Sequence, residues 1–164
     1  IRQGSRADAL GRHGRQNHAI YIEYRTPFEN FWVNGGGRFD YNSQYGDEFS
    51  PSLSLGWALS DSFKLRFSLG RSFRAPTFTE LYYWDPVKRG DPDLRPEQAW
   101  SYELGGDFNL KPWMQASITL FIRDEDDLID WVGLKSKPDS SRIYYAKNLS
   151  EVKVKGIELS LIHI

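Results

Sequence analysis

Between residues 77 and 94 the chain concentrates side chains that could bind a ligand. Aromatic rings and cations lie close together there, namely Tyr82, Tyr83, Trp84, Lys88 and Arg89. Aromatic faces stack on planar groups and cations attract negative charge, so this combination is suited to an anionic chelate. The alternative is that the three aromatic residues form an interfacial girdle and that the charges are simply solvated. The residue types leave both interpretations open.

Carboxylates suggest two further kinds of chemistry, and neither pattern is complete. Four acids follow Arg123, at positions 124–127, and hard cations favour several carboxylate oxygens. The run lacks the alternate ligand spacing and the central glycine of a calcium loop, so a solvated loop is the favoured interpretation. Asp40, Glu103 and Asp107 share a predicted strand face, but no nucleophile or metal accompanies them. We therefore predict no catalytic residue, no metal site, no cofactor and no enzymatic activity.

Composition excludes several classes of function. The 164 residues contain no cysteine, which rules out thiolate metal sites, disulfides and cysteine nucleophiles. The formal net charge is −1, so there is no overall positive field to attract nucleic acid, and no nucleic-acid partner is predicted. No apolar run of about 18 residues is present, so no transmembrane helix is predicted.

Strict alternation of apolar and polar residues dominates the chain. In FSPSLSLGWAL, for example, Leu53, Leu55 and Trp57 alternate with serine, glycine and alanine. A side-chain period of two indicates strands with two unlike faces. A short helical turn is possible around residues 77–83, and a phase slip at Gly156 predicts a β-bulge. The pattern predicts seven strands, at about 17–25, 31–41, 50–58, 63–71, 98–109, 114–125 and 143–161.

The connections between these strands alternate in length. Short ones are predicted at 26–30, 59–62 and 110–113, and longer ones at 42–49, 72–97 and 126–142. In an antiparallel up-and-down meander, this alternation places all the long loops at one end, as in outer-membrane barrels. Strands of about 9–11 residues are also long enough to span a membrane. A soluble β-sandwich is the alternative, but its strands average about 5–6 residues.

Two sequence boxes flank the long central loop. The first is Phe73-Arg74-Ala75-Pro76, and the second is Asp91-Pro92-Asp93-Leu94 followed by Pro96-Glu97. Their order, with Glu103-Leu104-Gly105 after them, resembles the C-terminal half of TonB-dependent outer-membrane receptors. The resemblance extends from about residue 30 to residue 161. Pro76 disfavours a helical Ala75, and Arg74 is expected to pair with Glu80 or Glu97, so we interpret the boxes as structural.

The resemblance implies an active importer in the outer membrane of a Gram-negative bacterium. Residues 1–164 would be about seven strands of a large, all-β transmembrane barrel, without its plug domain and remaining strands. The implied partners are TonB, a ferric siderophore or cobalamin ligand, and outer-membrane lipid and lipopolysaccharide. Haem receptors of this family typically carry a histidine between the two boxes, and none lies between Phe73 and Leu94. A passive porin-type channel and a soluble all-β binding module remain the alternatives.

Overall fold

A computed structural model describes residues 10–135 and 142–163, which are almost entirely β-structure. Side-chain alternation produces long antiparallel strands, as the sequence predicted. Helix α1 (Phe78–Tyr82) lies where the short helical turn was expected. The strands are β1 (Asn17–Pro27), β2 (Phe31–Asn42), β3 (Gly46–Ser60), β4 (Phe63–Arg74), β5 (Lys88–Arg89), β6 (Glu97–Lys111), β7 (Met114–Asp126), β8 (Ile129–Leu134), β9 (Ile143–Asn148) and β10 (Val152–His163).

Seven of these strands form one antiparallel sheet in the order β1-β2-β3-β4-β6-β7-β10. Each strand pairs with the next long strand along the chain, which confirms the predicted up-and-down meander of about seven strands. The sheet is not closed, because β1 and β10 lie at its two edges. A second, three-stranded sheet has the order β5-β9-β8 and lies within the two long connections. No helix in the described residues is long and apolar enough to cross a membrane.

The two faces of the large sheet differ in chemistry, because directly paired residues project to the same side. Across the middle of the sheet, the pairing aligns one apolar row: Val33, Leu55, Phe67, Leu104, Leu120 and Ile157. The neighbouring row on the opposite face is mostly polar or small: Asn34, Ser54, Ser68, Glu103, Phe121 and Gly156. Leu104 is 46% exposed and Ile157 is 66% exposed, so no second protein layer covers the apolar face in the described chain.

The bulge predicted at Gly156 is wrong. Strands β7 and β10 pair without a register shift from Val152 to His163. Gly156 lies directly opposite Phe121, and a Cβ at this position would collide with the Phe121 ring. The glycine therefore provides room for a cross-strand aromatic ring. Because the phase is never reset, Val152 and Val154 project to the face opposite Ile157.

Two predicted segment boundaries also need correction. The single strand expected at 143–161 is two strands, β9 and β10, and β9 belongs to the smaller sheet. The long connection expected at 42–49 is only a three-residue turn, because β2 and β3 stay paired as far as Asn42 and Gly46. Gly46 has a φ of 83°, a left-handed conformation that glycine adopts at little cost. Only the segments after β4 and after β7 are long.

The main cluster of buried apolar residues lies between the two long connections, and Ala99 is the one buried apolar residue that belongs to the large sheet among the described residues. The members of this cluster come from α1, from the second sequence box and from the small sheet, with Tyr82 and Trp131 packed against it. Its fully packed residues are Leu81, Leu94, Ile129 and Ala146. The two connections therefore fold onto each other as one unit at one end of the large sheet.

Candidate functional site in the two long loops

We call residues 75–96 the first loop and residues 127–151 the second loop. Arg74, at the end of β4, anchors the first loop at its base. Its Nε and Nη2 donate to both carboxylate oxygens of Glu97, at 2.6 and 2.5 Å, and its Nη1 and Nη2 donate to Glu80 at 3.1 Å. The sequence suggested Glu80 or Glu97 as the partner, and the structure shows both. One guanidinium therefore joins helix α1 to the start of β6.

Helix α1 begins with a reciprocal cap between Thr77 and Glu80. The Glu80 backbone N–H donates to the Thr77 hydroxyl, and the Thr77 backbone N–H donates to the Glu80 carboxylate at 2.7 Å. Burial by itself would raise the pKa of Glu80, but hydrogen bonds from Arg74 and Thr77 outweigh it and lower that pKa below its usual value. Pro76, immediately before the cap, is fully buried. The first sequence box thus ends β4 and starts the helix.

After the helix, the first loop makes a tight hairpin at its tip. The Asp85 carboxylate accepts the backbone N–H groups of Lys88 and Val87, at 2.5 and 2.7 Å. These two bonds lower the pKa of Asp85, because they favour its ionised form. The hairpin brings Trp84 opposite Arg89, with the Arg89 guanidinium 5.6 Å from the centre of the Trp84 ring.

The returning arm of the hairpin runs against the helix backbone. The Gly90 N–H donates to the Tyr83 carbonyl at 2.6 Å, and the Asp91 N–H donates to the Glu80 carbonyl at 2.9 Å. A Cβ on Gly90 would lie 2.7 Å from the Glu80 carbonyl oxygen and from the Leu81 carbonyl carbon. Only glycine permits this close approach, since both contacted atoms belong to the main chain.

The second sequence box is also structural in its contacts. Asp91 accepts the N–H of Asp93 on its side chain at 3.0 Å and the N–H of Leu94 on its carbonyl at 3.4 Å. Pro92 is exposed at this turn, whereas Leu94 and Pro96 are buried. Glu97 accepts, in addition to Arg74, the backbone N–H of Ile129 at 2.7 Å. Residues 91–97 therefore connect the first loop to the second.

Asn148 joins the two loops with every polar atom of its side chain. Its Oδ1 accepts the N–H of Arg95 at 2.9 Å, and its Nδ2 donates to the carbonyls of Arg95 and Asp127, at 2.9 and 2.7 Å. The Arg95 guanidinium also pairs with Asp127 at 2.5 Å. Asp127 has a φ of 57°, a conformation that aspartate tolerates better than most residues. No sequence pattern identified Asn148, because its partners are main-chain groups about 21 and 53 residues away.

The residues proposed from sequence as ligand contacts occupy different places. Tyr82 is half-buried, and its ring stacks on that of His13 with the two ring centres 3.6 Å apart. Its hydroxyl accepts a hydrogen bond from Gln44. Tyr83 is half-buried and ends α1 as its C-cap residue, whereas Trp84 is 61% exposed.

Lys88 extends over the Trp131 ring, 5.5 Å from its centre, while Arg89 extends over Trp84. Lys88 and Arg89 therefore project to opposite faces of the small sheet.

The acidic side chains that could have suggested catalysis or metal binding, with the exception of Asp126, have partners in the described chain. Asp40 pairs with Arg38 at 2.7 Å, Asp107 pairs with Arg66 at 2.7 Å, and Glu103 accepts from Ser68 at 3.2 Å. In the acidic run, Asp124 pairs with Lys153, Asp127 with Arg95, and Glu125 with Arg123. Among the described residues, no group of three potential metal ligands comes together.

Comparison with known proteins assigns the family. The model of the β-barrel of TonB-dependent receptor-like proteins matches residues 3–162. The chain therefore belongs to the TonB-dependent receptor β-barrel family, as the two sequence boxes indicated.

Curated relatives include vitamin B12 transporters named BtuB. The protein from Photobacterium profundum is 32% identical over 148 residues, which cover 89% of this chain and 23% of the relative. The protein from Vibrio vulnificus (strain YJ016) is 30% identical over 156 residues, covering 95% of this chain and 24% of the relative. The chain thus spans about a quarter of the length of these relatives.

Solved structures show the same fold at lower identity. The siderophore receptor PirA from Pseudomonas aeruginosa superposes with a TM-score of 0.78 and 23% identity, covering 88% of this chain and 30% of that one. The hemophore receptor HasR from Serratia marcescens has a TM-score of 0.77 and 17% identity, covering 90% of this chain and 31% of that one. At these identities the structural matches establish the barrel fold.

Proposed function

We propose that this chain is part of a receptor that imports a scarce nutrient across the outer membrane of a Gram-negative bacterium. The observation that carries the proposal is the family match from residue 3 to residue 162. The energy would come from TonB, acting through a plug domain inside the completed barrel. The ligand would be a corrinoid such as cobalamin, named for the curated relatives, or a ferric siderophore, named for the structural neighbours.

The large sheet supports a membrane location. Its apolar face carries leucine, isoleucine and phenylalanine in registered rows, and its opposite face carries serine, glycine and paired charges. Such a sheet suits contact with acyl chains on one side and a wet interior on the other. Residues 1–164 would form one arc of the barrel, with further strands pairing at the β1 and β10 edges, because unpaired edges are costly. Lipid and lipopolysaccharide would cover the apolar face.

The two loops support a receptor more than a passive pore. They are fixed to each other by the contacts of Asn148 and by their shared apolar core, so they form a defined surface at one end of the sheet. The exposed Trp84 and the cations Lys88 and Arg89 lie on this surface. A surface that is fixed by such contacts and carries aromatic and cationic groups is suited to capture of a ligand.

An uptake assay tests this proposal. The native gene would be expressed in a Gram-negative host without its own cobalamin and siderophore receptors, with and without TonB. We expect the protein in the outer-membrane fraction and TonB-dependent accumulation of labelled cobalamin or of a labelled ferric chelate. Uptake that is equal without TonB would indicate a porin-type channel. Recovery of the folded protein in the soluble fraction would instead indicate a soluble binding module.

A further inference from the structure

Three side chains form a cluster around the turn between β6 and β7, at the end of the large sheet opposite the two loops. The Lys111 Nζ lies over the Trp113 ring, 4.9 Å from its centre. The His163 ring, at the end of β10, has its centre 5.3 Å from that of the Trp113 ring. One indole therefore has an ammonium group and an imidazole as neighbours, and these two groups belong to different strands.

The pairing register assigns this cluster to the apolar face of the sheet. Lys111 pairs with Met114 and Met114 pairs with His163, so all three project to one side. Alternation along β7 places Ile118 and Leu120 on the same side. They are 37% and 45% exposed, although β7 has a paired strand on each side. The cluster thus lies at the end of an uncovered apolar surface, where the headgroups of membrane lipids would begin.

The cluster carries positive charge without a carboxylate to neutralise it. Within the described chain, Lys111 forms no ion pair. Asp61, in the turn between β3 and β4 at the same end, is exposed and lies outside ion-pair distance of Lys111. On the apolar face of β7, the first acidic side chain is Asp124, near the far end of that strand. An unneutralised cation at a lipid interface favours an anionic partner.

We propose that Lys111, Trp113 and His163 bind the phosphate of an anionic phospholipid whose acyl chains lie on the apolar face. The inference rests on the membrane location in the proposed function and names one lipid class at one place. Because the short turns of outer-membrane barrels lie on the periplasmic side, this lipid would belong to the periplasmic leaflet.

Each member of the cluster supplies a different part of phosphate recognition. The Lys111 ammonium group supplies positive charge, and its contact with the indole holds this long side chain in place. The ring N–H groups of Trp113 and His163 are hydrogen-bond donors for phosphate oxygens. A zwitterionic ethanolamine lipid carries the same phosphate, but its ammonium group would be repelled by Lys111 and would find no carboxylate on this part of the face in the described chain.

Lipid binding to the protein produced from its native gene and purified in detergent tests the site. The probes are phosphatidylglycerol and phosphatidylethanolamine with identical acyl chains, and native mass spectrometry at increasing lipid concentration gives the affinity for each. We expect phosphatidylglycerol to bind more tightly. Lys111→Gln should weaken phosphatidylglycerol binding about fivefold, the size expected for one cation at an anionic lipid surface, and should change phosphatidylethanolamine binding less than twofold.

Lys64→Gln is the matched control for the loss of one cation. Lys64 lies at the same end of the sheet but projects to the opposite face beside Asp107, so its phosphatidylglycerol affinity should change less than twofold. Lys111→Arg keeps the charge and should retain more affinity than Lys111→Gln.

Four results would overturn the site. These are equal affinity for the two lipids, unchanged phosphatidylglycerol binding in Lys111→Gln, an equal loss in Lys64→Gln, and an equal loss in Lys111→Arg. Any of them together with TonB-dependent uptake would leave the proposed function standing. Recovery of the folded protein in the soluble fraction would instead remove the membrane location, and with it both the proposed function and the site.

Discussion

The large sheet and the two long loops are stabilised by different kinds of interaction. In the sheet, main-chain pairing and cross-strand apolar rows repeat regularly from β1 to β10. In the loops, single side chains bind main-chain groups of distant segments, as Asn148 does with Arg95 and Asp127. The sheet therefore depends on a pattern, whereas the loops depend on individual residues. Changes in the sheet should be judged by which face they alter, and changes in the loops by which contact they remove.

A charge on the apolar face of the sheet should have the largest effect. Leu104 lies in the middle of the apolar row, between Phe67 and Leu120. Leu104→Arg should lower the free energy of unfolding in lipid vesicles by about 2–4 kcal/mol, the cost of a cation near the membrane midplane. Ser68→Arg is the control, because Ser68 projects to the opposite face beside Glu103. Urea titrations followed by tryptophan fluorescence measure both variants, and equal losses would contradict the assigned faces.

A methyl group added at Gly90, where the hairpin of the first loop returns along helix α1, should have the second largest effect. Gly90→Ala places a Cβ against main-chain atoms of Glu80 and Leu81 that cannot move aside. We expect a loss of about 3 kcal/mol, at the upper end of overpacking costs, confined to the first loop. Hydrogen exchange of residues 78–94 would show it as faster exchange with the sheet unchanged. Gly35→Ala is the matched control, since a Cβ there has open space around it.

Removing the Asn148 amide should separate the two loops. Asn148→Ala deletes three hydrogen bonds, and the expected loss is about 2 kcal/mol, because each bond contributes roughly 1 kcal/mol net and water replaces part of it. Limited proteolysis should show faster cleavage in both loops together. Cleavage in the second loop alone would contradict a shared clamp. Lys147→Ala is a suitable control, because Lys147 directly precedes Asn148 and its side chain is exposed.

Acidification should weaken the contacts at the start of the first loop, and this is the smallest of the expected effects. The pKa of Glu80 is lowered in the folded protein, so its ionised form contributes stability above its ordinary pKa of 4.5. That contribution is lost as the pH falls from about 4.5 through the lower folded pKa, where protonation breaks the bonds to Arg74 and Thr77. The protection factors of residues 77–82, with the intrinsic pH dependence of exchange removed, should therefore fall on acidification in the native protein. The acid-dependent part should be absent in Glu80→Gln, and its persistence there would assign it to another group.

Much of the sheet could be predicted from sequence because a period of two is a local property. The positions of the first six long strands, the meander and the helical turn at α1 were predicted, and the boxes around Arg74 identified the family. Two of the errors fall where contacts between distant segments decide the structure, whereas the third, at 42–49, is local, because β2 and β3 stay paired down to a three-residue turn. Gly156 stays in register opposite Phe121 and leaves room for that ring. Strand β9 ends at Asn148, whose side chain is bound to main-chain groups of both loops.

The sequence by itself determined the alternating strands, the order of the hairpins and the family, because each depends on residues close together along the chain. Only the tertiary structure decided which loop residues meet. It paired Arg89 with Tyr145, placed Lys88 on the other face of the small sheet, and buried Leu81 against Ala146. The physical reason is that these contacts join segments more than 40 residues apart, and neither hydrophobic period nor spacing carries information about such pairs.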